Sequence, residues 1–184
     1  MTAIDYDLEF LEDGRTIELI SIGMVCEDGR QYYAVNRDMP VRRIRKHQWL
    51  MENVVPGLPK GHGDAKIHMP KRWLFHYADP AVKTRELIAD EVMDFIRAAG
   101  PDVELWANYG AYDHVCLAQL WGRMIDLPEG VPMFTNDIQQ ERARLGFSWD
   151  DLPKQESGEH NALADARHNQ TVRRWLAEQE ARTS

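Results

Sequence analysis

From Ala3 to Phe10 the apolar residues Ile4, Tyr6, Leu8 and Phe10 alternate with Asp5, Asp7 and Glu9. Side chains along a strand point to opposite faces with a period of two, so this segment predicts a strand with one apolar and one carboxylate face. Thr16 to Cys26 is rich in Ile and Val, and Gln31 to Val35 is aromatic and apolar. Glu-Asp-Gly-Arg precedes each of these runs, at 12–15 and again at 27–30. Asp-Gly between β-prone runs is a hairpin signal, and the pair of them predicts a three-stranded antiparallel meander.

The pattern weakens between Asp38 and Pro80, where Pro, Gly and His interrupt it, including the run Pro56-Gly57-Leu58-Pro59-Lys60-Gly61-His62-Gly63. A short helix through Val41 to Met51 is expected there, and the rest reads as an excursion that forms part of a substrate-facing rim. Thr84 to Ala98 carries Leu87, Ile88, Val92, Phe95 and Ile96 at helical spacing and stops at Gly100-Pro101. A strand at Val103–Ala107 should lead into a helix at Asp113–Met124, and a second strand-turn-helix should pass through Met133-Phe134 and Asp137–Leu145. Asn161 is a good N-cap for a last helix through Leu163, Ala164, Val172, Trp175 and Leu176. Strands first, then strands alternating with helices, predict an α/β fold with a mixed sheet. No linker divides the chain, so residues 1–184 are expected to form one domain.

Composition narrows the function classes. The chain has 184 residues, 43% of them hydrophobic, which is one domain's worth of core. Cys26 and Cys116 form no C-x-x-C pair and are too few for a disulfide scaffold, so a reducing cytoplasm is expected. No run of about 18 apolar residues and no export-type N-terminus are present, so neither a membrane span nor secretion is expected. Thirty acidic residues against 22 Lys and Arg give a net charge of -8. That balance argues against a protein that coats long duplex DNA by counterion release. It leaves room for an enzyme that grips only a strand end through cations on carboxylates.

Asp7 and Glu9 share a strand face, and adjacent carboxylates favour a hard divalent cation between them. The pair alone does not mark a site, because Asp102-Val103-Glu104 has the same spacing. Asp113 lies at a predicted helix start, where a cap is the plain reading. His160 stands just before the last helix and Asp165 on it, with small residues between. Taken together, Asp7-x-Glu9, Asn108-x-x-x-Tyr112-Asp113 and His160-x-x-x-x-Asp165 come in the order of the three motifs of the DEDDh superfamily of 3'-to-5' exonucleases. Asn108 alone begins an Asn-x-x-x-aromatic-Asp, and His160 alone is followed five residues on by Asp. The similarity extends through Tyr6–Phe10, the Glu-Asp-Gly-Arg turn, Ile20–Gly23 and Leu105–Trp121. In these the chain resembles the small bacterial and phage exoribonuclease branch, similar to ribonuclease T and oligoribonuclease.

The resemblance implies a ribonuclease H-like fold and two-metal hydrolysis at the 3' end of single-stranded RNA or 3' overhangs, releasing nucleoside 5'-monophosphates. It implies that Asp7, Glu9, Asp113 and Asp165 hold two Mg²⁺ or Mn²⁺ ions and that His160 is the general base. It further implies a homodimer in which one subunit's basic surface feeds RNA to its partner's site; Arg42, Arg43, Arg45 and Lys46 are the candidates for that surface, with a solvated helix face as the plain alternative. Phe10, Leu11, Asn108, Tyr109 and Tyr112 are candidate substrate contacts, with core packing an equal reading of Phe10. A DNA exonuclease and a nonenzymatic binder of RNA 3' ends remain as alternative functions.

Overall fold

The computed structural model describes residues 1–60, 73 and 75–183. Of the predicted excursion, residues 61–72 and 74 lie outside the described residues, and with them Gly61-His62-Gly63. A six-stranded sheet is built from β1 (Thr2–Glu12), β2 (Ile17–Cys26), β3 (Gln31–Asn36), β4 (Val82–Lys83), β5 (Val103–Ala107) and β6 (Asn136–Asp137), in the order β4-β3-β2-β1-β5-β6. The first three strands pair antiparallel, whereas β5 runs parallel to β1, β6 parallel to β5 and β4 parallel to β3. This is the mixed α/β sheet that the hydrophobic pattern and the ribonuclease H-like resemblance imply.

The helices are α1 (Val41–Ile44), α2 (Gln48–Asn53), α3 (Arg85–Arg97), α4 (Ala111–Ala118), α5 (Ile138–Arg144) and α6 (Ala162–Thr183). The predicted helix over 41–51 is therefore two pieces, broken at Arg45–His47, where His47 Nδ1 accepts the Leu50 amide and caps α2. Thr84 caps α3 by accepting the Leu87 amide. The helix expected to reach Met124 ends at Ala118, since the chain turns at Gln119–Leu120 and Gly122 adopts a φ of 105°. Met133 and Phe134 are exposed and form no strand; the strand there is Asn136–Asp137.

The apolar face of β1 packs Ile4, Tyr6 and Leu8 with Ile88, Val92 and Leu117 of α3 and α4. The carboxylate face is covered as well, because α6 crosses β1 and β2 there. That contact depends on small residues. A Cβ on Gly23 would lie 2.3 Å from the Ala162 carbonyl and the Leu163 amide nitrogen, so only a hydrogen there lets α6 rest on the sheet. Two polar contacts tie α6 to β1: Asn169 donates to the Tyr6 carbonyl at 3.0 Å, and fully buried Asp5 accepts two bonds from Arg173 at 2.8 and 2.9 Å.

Candidate active site

β1 lies in the middle of the sheet, so its carboxylates can be approached from both neighbouring elements. Asp7 pairs with Gly23 across β2, and the missing side chain leaves the first turn of α6 directly above it. Asn161 Oδ1 accepts the Ala164 amide at 3.2 Å and starts α6, which places Asp165 one turn in, over β1. From the other side, β5 runs parallel to β1 and passes into α4, whose first turn carries Asp113. Asp113 is buried and accepts the Leu8 amide at 2.8 Å, which ties α4 to the strand between Asp7 and Glu9.

These elements bring Asp7, Glu9, Asp113, His160 and Asp165 into one cleft of about 590 Å³. Ligand atoms of Glu9, His160 and Asp165 all lie within 4.8 Å of one another. Burial, with Asp165 and Asp113 nearby, pushes the Glu9 carboxyl up to about 8. Burial raises Asp113 to about 7 against the lowering effect of the Leu8 amide, with Asp137 and Asp165 adding to the rise. Asp7 is pushed well above the ordinary carboxylate range by burial and then by Asp113, Glu9 and Asp165. Asp165 is raised by burial in spite of its hydrogen bond from Gln155 and the nearness of His160. The groups that act most strongly on these four carboxyls are one another and Asp137, with His160 and His168 beside Asp165, and Lys154 lines the same cleft. Four crowded carboxyls are hard oxygen donors of the kind that suits a divalent cation.

The backbone at the cleft is unusual at two places. Among the described residues only Tyr109 and His160 have positive φ without being glycine, at 56° and 63°. Both stand just before a helix that carries an acid of the cluster, and such conformations concentrate at functional sites. His160 is further fixed by Trp49, whose ring meets the imidazole edge-on with centroids 4.8 Å apart.

The family model of the 3'-5' exoribonuclease Rv2179c-like domain matches residues 71–176. Two relatives, the 3'-5' exoribonucleases Rv2179c of Mycobacterium tuberculosis strain ATCC 25618 / H37Rv and MT2234.1 of strain CDC 1551 / Oshkosh, are each 42% identical over 168 residues. Those alignments cover 88% of this chain and 85% of each relative. The chain belongs to the Rv2179c-like 3'-5' exoribonuclease family. Among solved structures, the Mg²⁺- and Mn²⁺-bound form of S. pombe Pop2p is similar with a TM-score of 0.43 and 13% identity, covering 95% of this chain and 81% of that one.

In this Rv2179c-like chain, the residues expected to touch substrate are placed unevenly. Asn108, Tyr109, Tyr112 and Phe10 line the cleft, with Tyr109 60% and Tyr112 58% exposed. Asn108 accepts a bond from Gln139 at 2.7 Å, and the Gly110 amide donates to Asp137 at 2.7 Å, so the turn before α4 is held from α5. Phe10 also packs against the main core, and the β-bulge after Glu9 interrupts the strand register beside it. Leu11 is a correction: it is 3% exposed in a second core cluster with Ile20 and Ile44 and does not line the cleft. The basic run, expected to serve a partner subunit's site, lies outside this chain's own cleft. Arg43 is bound by Asp13 and Glu18, and Arg45 donates to the Trp73 carbonyl at 3.0 Å. None of Arg42, Arg43, Arg45 and Lys46 lines the cleft.

Sequence reasoning missed Trp149, Lys154, Gln155 and His168, which also line it. His168 follows Asp165 by one helical turn, a signal that could have been read. The segment that carries the other three has no periodic pattern, and nothing local pointed to it.

Proposed function

We propose that this chain is a divalent-metal-dependent 3'-to-5' exoribonuclease of the DEDDh type, related to the ribonuclease T and oligoribonuclease branch. The observation that carries the reading is the convergence of Asp7, Glu9, Asp113, Asp165 and His160, from three separate segments, in one cleft. The family's name supports RNA as the substrate, and the exposed aromatic rim suits a single-stranded end of any sequence, since a base stacks on an aromatic with little regard to its identity.

Asp7, Glu9, Asp113 and Asp165 would hold two Mg²⁺ or Mn²⁺ ions, whose charge would stabilise the attacking and leaving oxygens of an in-line displacement. Tyr109 and Tyr112 orient the last bases, and Asn108 fixes the turn that presents them. His160, held by Trp49 beside Asp165, takes the proton from the attacking water. The water oxygen bonds to phosphorus, the bond to the 3' oxygen of the preceding nucleotide breaks, that oxygen takes up a proton to become the new 3' hydroxyl, and a nucleoside 5'-monophosphate leaves. Homodimerisation belongs to the same reading and rests on the resemblance, and a cytoplasmic location rests on the two unpaired cysteines; no helix among the described residues is long and apolar enough to cross a membrane.

The test is digestion of a 5'-labelled single-stranded RNA and the matching DNA with Mg²⁺, Mn²⁺ or EDTA, by native protein and by His160→Ala. A ladder shortening from the RNA 3' end, abolished by EDTA and strongly slowed in the variant, is the expected result. Faster loss of DNA makes the protein a DNA exonuclease, and no shortening of either polymer by folded protein overturns the enzyme reading.

A further inference from the structure

Between the turn at Trp149–Asp151 and α6 the chain runs along the rim of the cleft as an irregular strap, residues 152–161. Its start is anchored. Leu152 is buried with Ile138, Val172 and Leu176. Lys154 Nζ donates to the Trp149 carbonyl at 2.8 Å and sits 5.5 Å from the centre of that indole. Ser148 closes the turn by donating its hydroxyl and its amide to Asp151 Oδ2, at 2.6 and 2.7 Å.

Gln155 is the strap residue that reaches the carboxylates. Its amide nitrogen donates to Asp165 Oδ1 at 2.7 Å and to the Ser157 carbonyl at 3.2 Å. Both partners are acceptors, so the orientation of the amide is fixed: the reversed group would set its oxygen against a carboxylate and a carbonyl. Oδ1 takes the Gln155 bond, the His160 amide also bonds the Asp165 carboxylate, and a carboxylate oxygen of Asp165 lies within 4.8 Å of ligand atoms of Glu9 and His160. The chemical type of the donor also matters. Lysine or arginine at this place would orient Asp165 equally well, but its charge would oppose a cation bound a few ångströms away; a neutral amide orients the ligand without that cost.

We infer that Gln155 is a positioning residue for the divalent cation, holding Asp165 ready as a ligand from the strap. The inference rests on the proposed reading of the carboxylate cluster. It is tested by titrating Mn²⁺ into metal-free full-length protein by calorimetry, comparing native protein with Gln155→Leu, Gln155→Asn and Asp165→Asn. Partners behind a metal ligand typically contribute 10- to 100-fold in affinity, so both Gln155 variants should bind Mn²⁺ roughly 10- to 100-fold more weakly, Asn being too short to reach Asp165. Their melting temperatures without metal should stay near native, and in RNA digestion the Mn²⁺ concentration for half-maximal rate should rise while the KM for RNA holds. Native Mn²⁺ affinity in both Gln155 variants, with affinity lost in Asp165→Asn, overturns the role of Gln155 and leaves the metal site standing. Absence of Mn²⁺ binding by the native protein overturns the site and this inference together.

Discussion

Gly23→Ala is the smallest change that should separate the sheet from the helix above it. The added methyl would lie 2.3 Å from backbone atoms of Ala162 and Leu163, whereas ordinary contact begins at 3.4 Å. The near atoms are main chain in the first turn of α6, so no side chain can rotate away and the turn must retreat by about 1 Å. Overpacking of this kind costs roughly 1–3 kcal/mol, which for a chain of this length lowers Tm by roughly 2–12 °C. The functional loss should be larger than the stability loss. His160 and Asp165 ride on that turn while Asp7, opposite Gly23, stays on the sheet, and a displacement of about 1 Å in a catalytic constellation can cost on the order of 100-fold. Steady-state hydrolysis of a short RNA, at a temperature where circular dichroism shows the variant folded, measures this. A variant with native kcat/KM and native Tm would refute the claim that close contact at Gly23 sets the site.

Three further outcomes follow from the charges under α6. Asp113→Asn keeps an oxygen for the Leu8 amide but removes one of four clustered carboxyls, so activity should fall by more than about 100-fold while metal-free Tm holds or rises; a clear drop in Tm would contradict the repulsion argument. Folded Glu9 and Asp113 keep their protons to about 8 and about 7, far above ordinary carboxylates near 4.5 and 3.8, so the folded state binds more protons between those values and metal-free stability should fall as pH rises from about 5 to 8. Thermal melts should show this slope, Glu9→Gln should reduce it, and saturating Mn²⁺ should stabilise more at pH 8 than at pH 6. Arg173→Met strands the fully buried Asp5 carboxylate and should cost roughly 3–5 kcal/mol by denaturant unfolding; a loss below about 1 kcal/mol would show that Asp5 finds another partner.

The elements that the sequence reveals are those specified by neighbours along the chain. The Asp-Gly turns and the alternation around them place β1 to β3 within one or two residues, and Thr84 and Asn161 start α3 and α6 as caps should. Elements specified by distant partners were hidden. β4 is two residues that exist as a strand because β3 lies beside them. The apolar spacing after Asp113 continues past Ala118, yet the chain leaves the helix there. Within the site, the three acidic segments and His160 are visible because spacing within each segment carries the chemistry. Gln155 and Trp49 are not visible, since each acts on a partner in another segment, Asp165 or His160. The pairing of Asp5 with Arg173, at opposite ends of the chain, is equally invisible from either end.

The most direct measurement of the central claim is the location of bound metal. Crystals of the metal-free protein would be soaked in Mn²⁺ and an anomalous difference map calculated at the manganese edge. Peaks in the cleft within about 2.0–2.4 Å of carboxylate oxygens of Asp7 and Asp165 are predicted, two peaks about 4 Å apart when a nucleotide 5'-monophosphate is also present. A well-ordered cleft without anomalous density at millimolar Mn²⁺, or manganese bound only at other surface acids, would contradict the account.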